Sequence, residues 1–251
     1  MSNITIQEDF SLPSKGMLYG RQFDPTIKLR SMTVAEEMRR LSATEYPYKN
    51  MSDIIDDCIV GQKPPISTYD MCLGDYQYLL YKLRTVTYGP DYKLSMVCPY
   101  CGELFDFTQN LDELEVHEYD DSIKELFQVE LPSTKHIISL TLQTPRVLDN
   151  IDRKKKEMRK QFPDMKYDPT LLLTIEYLIG EIDGQPINPA TIQTFVENLP
   201  MRDTNILLQR SIKLNEKVGV ETVITTNCTN CGQEVKAPFR FTDEFFRPEV
   251  D

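Results

Sequence analysis

Apolar positions along the chain follow two periods. Alternation marks short strands at residues 26–30, 93–97, 104–108, 221–226 and 235–242, and a hairpin pairs 127–131 with 137–142 around Pro132-Ser133-Thr134-Lys135. Three- and four-residue spacing marks helices. Thr33-Val34-Ala35-Glu36 is a capping box opening a helix to about residue 42, with Val34, Met38 and Leu41 expected to face inward. A second helix covers 52–60 on Ile54, Ile55, Cys58 and Ile59. A third runs from Ser67 to about 85, with a stripe from Cys72 through Leu83. Thr144-Pro145, Asp168-Pro169 and Asn188-Pro189 each place a capping residue before a proline and open further helices, the first reaching about residue 161. The last long helix spans 201–217 and ends at Gly219, after a tight turn at 182–187. The tail at 243–251 is polar apart from Phe245 and Phe246 and is expected to be exposed.

Two turns interrupt this pattern. Val97-Cys98-Pro99-Tyr100-Cys101-Gly102 and Asn227-Cys228-Thr229-Asn230-Cys231-Gly232 are both Cys-x-x-Cys-Gly, and each lies between strand-like runs. The runs that follow share a sub-pattern, Phe105-Asp106-Phe107-Thr108 and Phe239-Arg240-Phe241-Thr242. Two cysteine pairs at this spacing supply the four sulfurs of a tetrahedral structural zinc site, so Cys98, Cys101, Cys228 and Cys231 are the candidate ligands of one Zn2+ per chain. Cys98-Pro99-Tyr100-Cys101 also matches the glutaredoxin redox motif letter for letter. That motif caps a helix, whereas here the following residues alternate like a strand, and a redox dithiol gives no reason for the second pair. Cys58 and Cys72 fall on apolar helix faces and read as small core residues.

The expected fold class is α+β: zinc-ribbon-like β hairpins joined to a helical N-terminal region, with a mostly α-helical inserted subdomain. The corresponding division is 1–92 for an N-terminal arm, strand and helices, 93–110 plus 220–251 for the ribbon, and 111–219 for the insert. Cys101 and Cys228 are separated by 126 residues, far more than in a compact ribbon. A length of 251 residues suffices for a sizeable core. No apolar run reaches the ~20 residues of a membrane span, and the first residues lack the pattern of a signal peptide. A reducing, cytosolic setting is the expectation, and there paired cysteines favour metal over disulfides. The net charge of −11 argues against broad nucleic-acid binding. The basic run Arg153-Lys154-Lys155-Lys156 with Arg159-Lys160 reads as a solvated helix face, balanced by the acidic run at 112–121, or as a contact for an acidic partner or nucleic acid. His117 and His136 have no nucleophile beside them in sequence, there is no glycine-rich phosphate loop, and no catalytic constellation emerges. The segment 8–20, with Phe10, Leu12, Leu18 and Tyr19, reads either as a surface arm docked on the protein or as a partner-binding arm.

Leu12-Pro13-Ser14-Lys15-Gly16-Met17-Leu18-Tyr19, then Ile27-Lys28-Leu29-Arg30-Ser31-Met32-Thr33 and Glu36-Glu37, resemble the baseplate hub proteins of T-even-type contractile-tailed bacteriophages. There, Pro-Ser-Lys-Gly-x-x-Tyr precedes a strand and a helix that begins Met-Thr-x-x-Glu-Glu. The close match covers about the first 60 residues and the paired cysteines. The resemblance implies a non-enzymatic viral protein, a hub component or hub assembly factor, contacting other phage baseplate or hub proteins. It would work in the host cytoplasm during assembly and in the virion tail baseplate, with no small-molecule substrate. A nucleic-acid-binding zinc-ribbon protein, such as a viral regulator, is the alternative.

Overall fold

Strand alternation and helix caps build a similar succession of elements twice, with β10, α6 and β11 added in the second. The computed structural model describes residues 6–239 and 243–246. In the first half, β1 (Gln7–Ser11) and β2 (Thr26–Arg30) pair antiparallel, and α1 (Val34–Arg40) and α2 (Pro47–Cys58) follow. The chain passes directly from α2 into β3 (Ile59–Val60), which pairs with β2. A 3-10 turn at Thr68–Asp70 leads to α3 (Leu73–Tyr88) and the hairpin β4 (Asp91–Val97) and β5 (Leu104–Asn110). After a connector holding β6 (Val116–His117), the second half has β7 (Gln128–Glu130), β8 (Ile137–Leu140), α4 (Pro145–Gln161) and α5 (Thr170–Leu178). It again passes directly into a strand, β9 (Ile179–Ile182), paired with β8. Then come β10 (Gln185–Pro186), α6 (Ile192–Glu197), α7 (Met201–Glu216), β11 (Gly219–Val220) and the hairpin β12 (Val223–Asn227) and β13 (Glu234–Pro238).

The repetition extends to register. Phe10 lies opposite Ile27 and Leu29 opposite Ile59; Val129 lies opposite Ile138 and Leu140 opposite Ile179. In both sheets the third strand joins the second strand of the hairpin on its far side, and in the second sheet β10 continues beyond it. α3 and α7 each have 16 residues. Residues 128–238 are in this sense a counterpart of residues 7–110.

One buried carboxylate organises each half. Asp75 and Asp203 occupy the first turns of α3 and α7, and both are fully buried. Asp75 accepts hydrogen bonds from the Ser14 amide (2.9 Å), the Ser14 hydroxyl and the Tyr19 hydroxyl (2.5 Å). Asp203 accepts from the amides of Ser133 (2.8 Å) and Thr134 (2.9 Å) and from the Thr134 hydroxyl (2.8 Å). The two loops so held are Leu12-Pro13-Ser14 and Leu131-Pro132-Ser133, with Leu12 and Leu131 in the two cores. A carboxylate at a helix N-terminus is favoured by the helix dipole, and charge-assisted bonds to amides offset its desolvation. A third buried carboxylate, Asp149 of α4, accepts from the amides of Tyr48 (3.3 Å) and Lys49 (2.8 Å), capping α2 from the other half. The halves meet again where Gly219, at φ +127°, faces Gly74; a Cβ on Gly74 would stand 1.9 Å from the Val218 carbonyl oxygen.

Three cores result. The first joins β1, β2, α2 and α3 to Val220, Ile224, Phe239, Phe245 and Phe246 from the far end of the chain. The second lies between the β7–β9 sheet and α5–α7. The third, small, consists of Cys98, Phe105, Cys228 and Val235.

Several expectations change. The capping box at Thr33 is present, but α1 buries none of its residues: Val34, Met38 and Leu41 face outward. Arg30 pairs with Glu36 at 2.8 Å and Arg40 with Glu37 at 2.7 Å, and these partly buried pairs fix the opposite face against the protein. Arg30 beside Glu36 holds that carboxyl down at about 2. The helix expected from Ser67 is broken, because Met71 and Cys72 are extended and buried before α3 begins. α2 starts earlier than expected, at Pro47, and α6 starts three residues after Pro189. Phe245 and Phe246 are buried rather than exposed: the Arg84 guanidinium donates to the Phe245 carbonyl at 3.0 Å, and Phe245 packs edge-on to Tyr81. Residues 247–251 of the tail lie outside the described residues.

Burial raises the Asp75 carboxyl above the usual carboxylate range, against the pull of the Ser14 and Tyr19 donors. The folded protein thus holds that proton more tightly than the unfolded chain, so the contribution of Asp75 to stability is largest below about pH 4 and falls as pH rises. Urea titrations should show Asp75→Ala less stable by about 3 kcal/mol, since it strands buried donors. Asp75→Asn should gain on the wild type between pH 4 and pH 7; a gain in the opposite direction would contradict the sign of the shift.

Candidate metal centre

The two Cys-x-x-Cys turns close the β4–β5 and β12–β13 hairpins, and they are built alike. In the first, Cys98 N–H donates to the Glu103 carbonyl (2.9 Å) and Gly102 N–H to the Cys98 carbonyl (2.9 Å). In the second, Cys228 N–H donates to Gln233 (2.9 Å) and Gly232 N–H to Cys228 (2.8 Å). Gly102 and Gly232 both have left-handed φ, +76° and +73°, which lets the chain fold back over the first cysteine. Val97 pairs with Leu104 and Asn227 with Glu234, so each residue of one hairpin has its counterpart 130 positions on.

That correspondence corrects the shared Phe-x-Phe-Thr sub-pattern. Phe105, second in β5, matches Val235, second in β13, and the two pack together beside Cys98 and Cys228. Phe239 lies just past β13 and belongs to the first core, against Tyr81 and Tyr92. Arg240, Phe241 and Thr242 fall outside the described residues. The exposed positions differ between hairpins: Val97, Tyr100 and Leu104 in the first stand where Asn227, Asn230 and Glu234 stand in the second.

The four thiols converge across the halves. Cys98 Sγ lies 3.7 Å from Cys231 Sγ, and Cys101 Sγ lies 3.8 Å from Cys228 Sγ. All four sulfurs are within 4.8 Å of one another. Cys98 and Cys228 are buried while Cys101 and Cys231 are exposed, the same assignment in each turn. A tetrahedron with metal–sulfur bonds of ~2.3 Å has sulfur–sulfur edges of about 3.8 Å, so the donor set fits a four-thiolate metal site. Against the effect of burial, the backbone N–H groups of Cys101 and Tyr100 aimed at Cys98 lower its thiol to about 7.

The other candidate residues lie elsewhere. Cys58, at the end of α2, and Cys72, just before α3, are buried, and burial pushes their thiols up to about 11 and about 12. His117 is 3.4 Å from Glu221, and His136 is 2.7 Å from Asp183. The basic run of α4 is balanced within its own half, not by the acidic run at 112–121. Lys155 meets Asp168 at 2.8 Å, Lys154 meets Glu176 at 3.7 Å and Arg153 meets Glu157 at 3.0 Å.

The four apolar residues of the N-terminal arm pack on this chain. Leu12 is buried in the first core, Phe10 sits partly buried under Lys82, Leu18 reaches the second core, and Tyr19 stacks on Phe23 while holding Asp75. All four thus make contacts within this chain. Sequence reasoning missed Asp75, Asp149 and Asp203. The signal for two of them was the recurrence of Leu-Pro-Ser at 12–14 and 131–133.

No helix among the described residues is long and apolar enough to cross a membrane. No curated protein and no solved structure matches the chain. The family described as T4 bacteriophage base plate protein matches residues 3–247, nearly the whole sequence. That span includes the Pro-Ser-Lys-Gly segment, both Cys-x-x-Cys hairpins and the helices between them, and the chain belongs to this family of T4-type baseplate proteins.

Proposed function

We propose that this protein is a non-enzymatic component or assembly factor of the phage baseplate hub, acting through contacts with other baseplate or hub proteins. The family match across residues 3–247 carries the reading. We assign the protein to the host cytoplasm during assembly and to the tail baseplate of the virion. In this reading one structural Zn2+ is held by Cys98, Cys101, Cys228 and Cys231 as a zinc ribbon assembled from two distant hairpins. All four coordination positions are then protein sulfurs, which leaves none for a substrate. Its role is mechanical: a Cys-x-x-Cys from each half is tied into one junction. The arm at 8–20 contributes by anchoring α3 through Ser14 and Tyr19.

The alternative, a nucleic-acid-binding zinc ribbon using the basic face of α4, is disfavoured by the carboxylates that Lys154, Lys155 and Arg159 already meet. Co-purification with identified baseplate proteins at high salt supports the assembly reading. Tight binding to DNA or RNA that collapses steeply as salt is raised would overturn it.

The metal has its own test. Mass-spectrometric metal analysis of protein purified without chelator should give about one zinc per chain, and a value near zero removes the junction. Cys98→Ser and Cys228→Ser should lower the midpoint of unfolding far more than Cys58→Ser, whose cost is a local one of about 1–3 kcal/mol. Equal effects at Cys58 and Cys98 would mean that the ligands are misassigned.

A further inference from the structure

Helix α1 presents its apolar residues to solvent. Val34, Met38 and Leu41 recur at intervals of four and three, which puts them on one stripe. They are 76%, 67% and 68% exposed. The charges of the helix are engaged elsewhere: Glu36 with Arg30, Glu37 with Arg40, and Arg39 with Asp57 at 2.8 Å. The Asn50 amide also donates to the Arg39 carbonyl at 3.1 Å, fixing the end of the helix to α2.

The other half supplies an internal comparison. Thr33 and Thr144 cap α1 and α4 at equal distances past Ile27 and Ile138, which hold the same register position. Val34, Met38 and Leu41 therefore correspond to Pro145, Asp149 and Asp152. In α4 the first two of these positions are seated on α2: Pro145 and Asp149 are buried, and Asp149 caps the first turn of α2, while Asp152 is exposed. The start of that helix face is covered in one half, and in the other the whole stripe is apolar and bare.

We propose that the α1 stripe docks the apolar face of an amphipathic helix, flanked by basic residues, on another baseplate protein; this rests on the assembly reading above. Three observations select that occupant. Met38 stands where Asp149 supplies a carboxylate, so the start of a helix would find no acceptor for its free N–H groups, whereas the apolar side of a helix needs none. Residues 30–57, which include the Arg30 partner of Glu36, carry six carboxylates against four cations, so basic flanks on the partner are complementary. A second copy fits poorly. Each chain carries a net charge of −11, and three side chains fall far short of the ~800 Å² per partner of a stable stand-alone interface.

The test uses affinity-tagged full-length protein expressed in phage-infected cells, with a photo-crosslinking amino acid at position 34 in one form. Bound proteins and crosslinked peptides are identified by mass spectrometry. Met38→Glu and Leu41→Glu are compared with Ile212→Glu, which alters an exposed position on α7, and all are checked for unchanged helix content. The expected result is a crosslink to a basic-flanked amphipathic helix of a baseplate protein, with recovery of that protein reduced about tenfold or more by Met38→Glu and Leu41→Glu but not by Ile212→Glu. Undiminished recovery with both stripe variants overturns the proposal and leaves the assembly reading standing. A crosslink to another copy of this chain, or to an acidic or non-helical segment, overturns it as well. Failure of the wild type to recover any baseplate protein overturns the assembly reading itself, and the docking surface with it.

Discussion

Carboxylates buried at the starts of helices decide where the distant parts of this chain go. An ionised or proton-sharing oxygen pair inside a protein is costly unless several donors converge on it. Asp75 and Asp203 meet that demand by drawing in loops more than sixty residues away, and Asp149 does so by capping a helix of the opposite half. Each bond set is geometrically demanding, since two or three donors must reach one carboxylate. A loop that satisfies it has little freedom left. The N-terminal arm, the β7–β8 turn and the α2–α4 contact are all fixed in this way.

The position of the hairpins follows. α3 leads within three residues into β4, and α7 leads through β11 into β12. Once the two aspartates have placed α3 and α7, the hairpins project so that their Cys-x-x-Cys turns face each other. The small core of Cys98, Phe105, Cys228 and Val235 lies under that contact. The thiol cluster is thus the point where two structurally similar halves meet, which explains why its cysteine pairs are 126 residues apart. A compact ribbon would need only a short loop; here a whole counterpart of the first half intervenes.

The halves are alike in framework and unlike in surface. Val97, Tyr100 and Leu104 stand against Asn227, Asn230 and Glu234, and the bare Val34 and Met38 of α1 stand against the buried Pro145 and Asp149 of α4. Residues that a repeated framework requires recur, as the aspartates, leucines and cysteines do. Residues that differ between equivalent positions are free of that requirement. In a baseplate protein, that is where partner recognition can reside.

The sequence alone determined the local devices, because their physics is local. Thr144-Pro145 caps α4, Asp183-Gly184 turns the β9–β10 hairpin, and the alternation around each Cys-x-x-Cys-Gly turn gives a strand pair. The Pro-Ser-Lys-Gly segment, with the Met-Thr-x-x-Glu-Glu helix start, also carried the family. Tertiary structure decided which way faces point and what long loops touch. The period of α1 is that of an ordinary amphipathic helix, and nothing in it states that Arg30 from β2 would claim Glu36 and turn the apolar side outward. The pattern from Ser67 onward is continuous, yet burial of Met71 and Cys72 breaks it into a turn and a helix. Phe245 and Phe246 look like the end of a polar tail until Arg84 and Tyr81, some 160 residues earlier, hold them. Periodicity records which residues share a face; which partner meets that face depends on elements far away in the chain.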